Sequence, residues 1–254
     1  MATYDFAGRR VWITGASSGI GLAVAQALAA KGARVALSAR RAEPLQRAAA
    51  LCGERALALP ADVSGRDGNR TAISGLDREW GGVDAVILNA GTCEYVDVSD
   101  FDAALFERQM QANFLSVVHG VEAALPLLRS SAAPLLVGVS SLSVYAPLTR
   151  AQAYGASKSA LRYLMRGLRV DLLREGIPVA VVYPGFVRTP LTDRNDFSMP
   201  FIMEPQAAAG HIVRALERGR GEIRFPSRLS LLVRALGALP AGLGARVAAR
   251  MARS

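Results

Sequence analysis

Apolar residues in this chain occur in two alternating kinds of stretch: short unbroken runs, and longer segments in which they recur every three or four positions. Residues 10–13, 34–38, 56–60, 85–88, 135–139, 178–183 and 222–225 form the short runs, rich in valine, leucine, isoleucine and alanine. Runs of this length suit strands buried on both faces. Leu22, Val24, Ala25, Leu28 and Ala29 follow a helical period, as do residues 44–52, 67–80, 101–128, 154–175 and 205–219. Strand and helix in alternation predict βαβ units, and so a parallel sheet with helices on its faces. Ligands of such sheets lie outside the carboxyl ends of the strands.

Polar residues collect at those ends. Thr14-Gly15-Ala16-Ser17-Ser18-Gly19-Ile20-Gly21 joins the first strand to the first helix. Without Cβ atoms, the backbone N–H groups and the positive helix end can approach a pyrophosphate. A tight turn needed only for packing is the other reading of such a motif. The second strand ends in Ala39-Arg40-Arg41. In a dinucleotide fold an acid here accepts from the ribose 2′-OH, whereas arginine accommodates a 2′-phosphate. No acid is present, so NADP(H) is expected in preference to NAD(H), which stays possible; two solvated arginines are the competing account. Asp62-Val63 ends the third strand, where a carboxylate can accept from an adenine amino group, and Asn89-Ala90-Gly91 ends the fourth. Pro184-Gly185-Phe186-Val187-Arg188-Thr189 follows the sixth strand and brings backbone groups and a hydroxyl to the same edge.

The candidate chemistry lies in Tyr154-Gly-Ala-Ser-Lys158. Residues four apart on a helix share a face, and a cation beside a phenol favours the phenolate. An unassisted tyrosine, with a pKa of about 10, is a poor acid or base near neutrality. A surface Tyr/Lys pair is the plain alternative. Ser140 and Ser141 end the fifth strand, close enough in sequence to meet Tyr154 above the sheet. Asn113, between Ala112 and Phe114, is an amide among core positions; it either satisfies local backbone groups or holds a water for proton relay. Residues 191–203, irregular and carrying Phe197, Phe201 and Met203, have the makings of a lid over an apolar substrate.

A net charge of +9 first suggests nucleic acid, but its distribution argues against that. Residues 1–210 hold 21 basic and 19 acidic side chains, net +2; residues 211–254 hold nine arginines against Glu217 and Glu222, net +7. Lys31 and Lys158 are the only lysines among thirty basic residues, which makes the lysine at 158 informative. In the basic tail Leu229, Leu232, Val233 and Leu236 keep helical spacing, as do Leu243, Val247 and Met251, with Arg246, Arg250 and Arg253 displaced from the second stripe. Two amphipathic helices broken at Pro240 and Gly242 are expected over residues 227–254. They form an extension, not an independent domain. That extension can pack on its own core, join a subunit interface or lie on an anionic membrane, each arginine then contributing on the order of 1 kcal/mol. It is too short and interrupted to span one. Cys52 and Cys93 lack metal or disulfide spacing, and His119 and His211 are isolated, so no metal site is expected. The start carries Asp5 and no apolar run, so no secretory signal is expected. A cytoplasmic protein follows, with contact at the inner membrane surface through the basic helices as an option.

Together, Thr14-Gly-Ala-Ser-Ser-Gly-Ile-Gly21, Asn89-Ala-Gly91, Asn113, Ser141, Tyr154-Gly-Ala-Ser-Lys158 and Pro184-Gly185 with Thr189 resemble the short-chain dehydrogenase/reductase family, over residues 8–225. The resemblance implies a Rossmann fold across residues 1–226, with a doubly wound parallel sheet of seven strands, a nicotinamide cofactor and a homodimer or homotetramer. It implies Tyr154 as acid/base, Lys158 as the residue that lowers its pKa and holds the ribose, Ser141 as donor to the substrate oxygen and Asn113 as holder of a relay water. Gly15, Ser17, Ser18, Gly19, Ile20 and Gly21 would cradle the pyrophosphate. Arg40 and Arg41 would meet the 2′-phosphate and Asp62 and Val63 the adenine, and Asn89, Ala90 and Gly91 would bind the cofactor as well. Thr189 and the backbone near Val187 would anchor the carboxamide, with Pro184 and Gly185 also at the cofactor. Leu88 departs from the family, many members having a further asparagine there. The expected reaction is hydride transfer between nicotinamide C4 and the carbonyl or secondary alcohol of an apolar small molecule. A 3-oxoacyl reductase of lipid metabolism and a catalytically silent nucleotide sensor are the alternatives, and the sensor would be expected to lose the tyrosine or lysine.

Overall fold

The strand β1, Arg10–Thr14, shows how the sheet is made. Val11 and Ile13 point into one apolar cluster while Trp12 points into the other, as strand geometry requires. All three are fully buried. The same two-sided burial recurs along the chain, and the order of elements is α1 (Gly19–Ala30), β2 (Arg34–Ala39), α2 (Ala42–Ala50), β3 (Leu57–Pro60), α3 (Arg66–Trp80), β4 (Ala85–Leu88), α4 (Ala103–Met110), α5 (Ser116–Arg129), β5 (Leu135–Val139), α6 (Gln152–Asp171), β6 (Val179–Pro184), α7 (Pro205–Glu217), β7 (Glu222–Phe225), α8 (Ser227–Gly237) and α9 (Ala241–Met251). The computed structural model describes residues 2–251. Arg253 lies outside them, as do the side chains of Arg250 and Met251.

The seven strands form one parallel sheet in the order β3-β2-β1-β4-β5-β6-β7. Helices α1, α2 and α7 pack on one face, and α3, α5 and α6 on the other. The expected doubly wound Rossmann sheet is therefore present. Strand order reverses between β1 and β4, which opens a crevice at their carboxyl ends. At the amino ends, Asp84 accepts from the backbone N, Nε and Nη2 of Arg10 at 2.9, 3.0 and 2.8 Å and from Ser131 Oγ at 2.7 Å. This ties the start of β1 to the entry of β4.

Two close approaches set the helices over the crevice. A Cβ on Gly138 of β5 would lie 2.8 Å from the Met165 side chain, so α6 rests directly on the strand. A Cβ on Gly120 of α5 would lie 2.6 Å from Leu88 Cδ2. Leu88 is thus a buried packing residue beneath α5.

Three expectations change in detail. The single helix expected over 101–128 is α4 and α5 joined by a π-helical turn, Gln111–Leu115, with Asn113 at its centre. The reason is one extra residue per turn, which a 3.6-residue hydrophobic period reads straight through. The helix expected over 154–175 is Gln152–Asp171 followed by turns that end at Gly176, in the left-handed region at φ 69°. Met203, expected in the lid, instead pairs with Val187 in an isolated parallel bridge and packs against the core.

Candidate active site

The carboxyl ends of β1, β4, β5 and β6 surround a cavity of about 470 Å³. One part of its lining is the start of α1 at Ser18, Gly19 and Ile20, with the polar side chains of Asn89, Ser141, Tyr154 and Lys158 beside Gly91, and Thr189 beside Gly19. Its far wall is apolar, made by Leu148, Phe186, Phe197, Leu229, Val233 and Leu236. Of the four expected catalytic residues, Ser141, Tyr154 and Lys158 line this cavity together.

Lys158 and Ser141 are held by the backbone around them. The Ser140 hydroxyl donates to the backbone carbonyl of Lys158 at 3.0 Å, fixing α6 against the end of β5. Lys158 is 4% exposed, and its Nζ donates to Val139 O at 3.0 Å. The ammonium stands 6.0 Å from the centre of the Tyr154 ring. Ser141 is extended before a short 3₁₀ turn, its Oγ accepting from Ser143 N at 3.2 Å. Asn113 is fully buried and does not line the cavity. Its Oδ1 accepts from Thr92 N at 2.8 Å, and its Nδ2 donates to Thr92 O at 2.9 Å and Ser157 Oγ at 3.0 Å. Its side chain thus satisfies local backbone and hydroxyl groups, one of the two roles left open for it.

The electrostatics run against the simplest expectation. Burial pushes the Tyr154 phenol up to about 12, with the neighbouring Ser141 hydroxyl offsetting part of the rise. Burial likewise pushes the Lys158 ammonium down to about 8. Desolvation is the largest cause at both groups, so the phenol keeps its proton at neutral pH, the form a general acid needs.

The glycine turn fits an anionic group. The Ser18 side chain does not cap α1, and Ser18, Gly19 and Ile20 present the helix start to the cavity. Gly15 and Gly19 are both in the left-handed region, at φ 64° and 57°. A Cβ on Gly15 would lie 2.7 Å from Ala90 Cα. Asn89 locks this arrangement: its Nδ2 donates to the carbonyls of Thr14 and Gly15 at 3.0 and 3.1 Å, and its backbone N donates to Thr14 Oγ1 at 3.0 Å. A Cβ on Gly91 would meet Asn113 Oδ1 at 2.8 Å and Lys158 Nζ at 3.0 Å. Glycine here leaves the lysine room to reach the cavity.

Residues 9–198 match the family model described as short chain dehydrogenase. The chain belongs to that family. It is an oxidoreductase by its relatives as well: an uncharacterized oxidoreductase of Myxococcus xanthus is 36% identical over 235 residues, 91% of this chain and 93% of that one. A short-chain type dehydrogenase/reductase from Mycobacterium marinum is 29% identical with a TM-score of 0.79, covering 87% of this chain and 94% of that one. The Pseudomonas aeruginosa RhlG/NADP active-site complex is 29% identical with a TM-score of 0.80, covering 89% and 98%.

In this short-chain dehydrogenase several of the cofactor-binding candidates, all four adenosine-side ones among them, stand apart from the cavity. Ser17, Gly21, Arg40, Arg41, Asp62, Val63 and Ala90 do not line it. Arg40 and Arg41 are exposed at the end of β2 and enter no ion pair among the described residues. Asp62 is exposed and accepts from Ser64 N and Oγ at 3.1 and 2.7 Å, so its carboxylate shapes the turn into α3. Val63 is buried in the core. Pro184, Gly185, Val187 and Thr189 do line the cavity, and Thr192 Oγ1 donates to Val187 O at 2.8 Å.

Sequence reading missed the residues that support the site without touching it. Thr14 Oγ1 accepts from both Asn89 N and Ala90 N, and Ser157 bridges Asn113 to α6. A hydroxyl ending an otherwise apolar strand was the available signal for Thr14. The latch over the cavity was missed as well: Tyr95 OH donates to Asn195 Oδ1 at 2.5 Å, Arg150 pairs with Asp196 at 3.0 Å, and Phe197 packs on both Tyr95 and Phe186. These contacts join residues far apart in sequence, and no spacing reveals them.

Proposed function

We propose that this chain is an NADP(H)-dependent reductase, or dehydrogenase in reverse, acting on the carbonyl or secondary alcohol of an apolar small molecule. The observation that carries the reading is the junction of Ser141, Tyr154 and Lys158 with an apolar wall, on the same cavity as the α1 start. A bound nicotinamide dinucleotide supplies or takes hydride at ring C4. The chain's own residues do the rest. Ser141 donates to the substrate oxygen as charge develops on it, Tyr154 delivers or removes its proton, and Lys158 stabilises the phenolate left behind and reaches the ribose. The backbone of Ser18, Gly19 and Ile20 would hold the pyrophosphate, Thr189 the carboxamide, and the neighbourhood of Asp62 the adenine.

The NADP(H) preference rests on Arg40 and Arg41, exposed at the strand end with no acid beside them, and agrees with the RhlG relative whose complex contains NADP. Leu148, Phe186, Phe197, Leu229 and Val233 support an apolar substrate. A panel of apolar ketones with NADPH and NADH tests the reading. NADPH is expected to be the better donor by more than tenfold, and Tyr154→Phe should lower kcat/KM by about 10²–10⁴. Cofactor binding without turnover across the panel, or turnover unaffected by Tyr154→Phe, would reject it.

A further inference from the structure

Helices α8 and α9 have two different apolar faces. Leu229, Val233 and Leu236 of α8 and Ala248 of α9 face inward and line the catalytic cavity. With about 3.6 residues per turn, the positions opposite those stripes are Arg228, Leu231 and Arg234 on α8 and Leu243 and Arg246 on α9. Leu231 is 69% exposed, Leu232 57% and Leu243 50%. Phe197, 42% exposed, borders the same cavity. Residues 227–254 contain five arginines and no aspartate or glutamate. Arg228 and Arg246 enter no ion pair among the described residues, and Arg234 leans on the Tyr145 ring at 6.0 Å.

The exposed face needs a partner that accepts leucines and arginines together. The protein's own core is already served by the inner stripe. A second copy meeting this one across a two-fold axis would set arginines against arginines, with no carboxylate from this segment between them. An anionic lipid surface satisfies both residue types, taking leucines at the acyl boundary and guanidinium groups among the phosphates. Neither helix is long enough to cross a bilayer, and among the described residues no helix has the length and apolarity to span.

We infer that the outer face of α8 and α9 docks this protein on an anionic phospholipid bilayer, with the roof of the catalytic cavity against the lipid. One consequence rests on the proposed apolar substrate: that substrate passes from bilayer to cavity alongside these helices without crossing bulk water. The specificity of the enzyme is then partly one of location, for compounds that partition into membrane.

Co-sedimentation of the full chain with extruded vesicles tests the docking directly. Vesicles of phosphatidylglycerol and phosphatidylcholine should carry the protein down, pure phosphatidylcholine should not, and salt of about 0.5 M should release it. An arginine near an anionic surface contributes about fivefold in partition, so Arg228→Glu with Arg246→Glu should weaken binding at least tenfold. Leu231→Ser with Leu243→Ser should weaken it severalfold, while Arg55→Glu, on an exposed turn before β3, should leave it unchanged. Thermal melts matching the parent establish that the variants fold. Equal binding to both vesicle types, or binding that survives the arginine reversals, would overturn the inference. So would a vesicle-free dimer that Leu231→Ser splits, since that assigns the face to a second copy. Binding is read without turnover, so its failure leaves the reductase reading standing, and an inactive but vesicle-bound protein separates the two in the other direction.

Discussion

Two ionisable groups are buried at opposite ends of one sheet, and the protein treats them in opposite ways. At the amino ends Asp84 is 7% exposed, and burial alone would raise it. The Arg10 side chain and backbone, with Ser131, outweigh that and hold it at about 2. At the carboxyl ends Lys158 is 4% exposed, has one carbonyl for a partner and no carboxylate among its bonds, and is driven down to about 8. The first charge is compensated and holds β1 to β4. The second is buried without a counter-ion, which folding alone does not favour. A group kept under that disadvantage beside a cleft is where function is to be sought.

Replacing the lysine breaks the comparison most severely. Lys158→Met keeps the volume and removes the charge, so it should lower kcat/KM by about 10²–10³ and raise KM for the nucleotide. Folding stability at neutral pH should be unchanged or higher, because an uncompensated charge has gone. Kinetics and urea unfolding on the same preparation check both halves. A variant both inactive and strongly destabilised would make Lys158 structural and end the contrast.

Asp84→Asn should give the mirror image. Arg10 would lose a carboxylate reached by two side-chain bonds, and a loss of about 2 kcal/mol is expected, tempered because Arg10 is partly exposed. Steady-state constants should stay within about twofold, since the pair lies at the far edge of the sheet from the cavity. A midpoint shift in urea without a kinetic change is the expected signature; a large fall in kcat would show the two ends to be coupled.

What could be read from sequence divides along the same line. The sheet was legible because strands buried on both faces must be continuously apolar, and Val11, Trp12 and Ile13 leave no other reading. Ser141, Tyr154 and Lys158 were legible because their spacing and order are local facts about strand ends and one helix. The π-helical turn around Asn113 was not, because an inserted residue leaves hydrophobic periodicity nearly intact. Nor was the Arg10–Asp84–Ser131 tie, formed by residues 47 and 74 positions apart. The inner role of the tail was one of three open alternatives: an amphipathic period identifies a buried stripe, and the fold alone shows that Leu229, Val233 and Leu236 border the cavity.

The pH dependence of stability gives the smallest but most specific contrast, because the two groups carry opposite signs. Asp84 is held at about 2 against an ordinary 3.8, so its contribution is complete above 3.8 and disappears as pH falls towards 2. Lys158 is displaced to about 8 from 10.5. Between those values the unfolded chain binds the proton that the folded chain has released, so stability rises with pH. Tyr154, raised from 10 to about 12, acts in the reverse sense above 10, and Cys52 and Cys93, each raised from 9 to about 11, do so above 9, so the lysine is isolated by difference between pH 8 and 10. Denaturant unfolding at those two pH values should show a gain on the order of 2 kcal/mol assignable to Lys158, seen as the difference between the parent and Lys158→Met. If both proteins change in parallel from pH 8 to 10, the lysine is not carrying a buried, uncompensated charge, and the contrast between the two ends of the sheet does not hold.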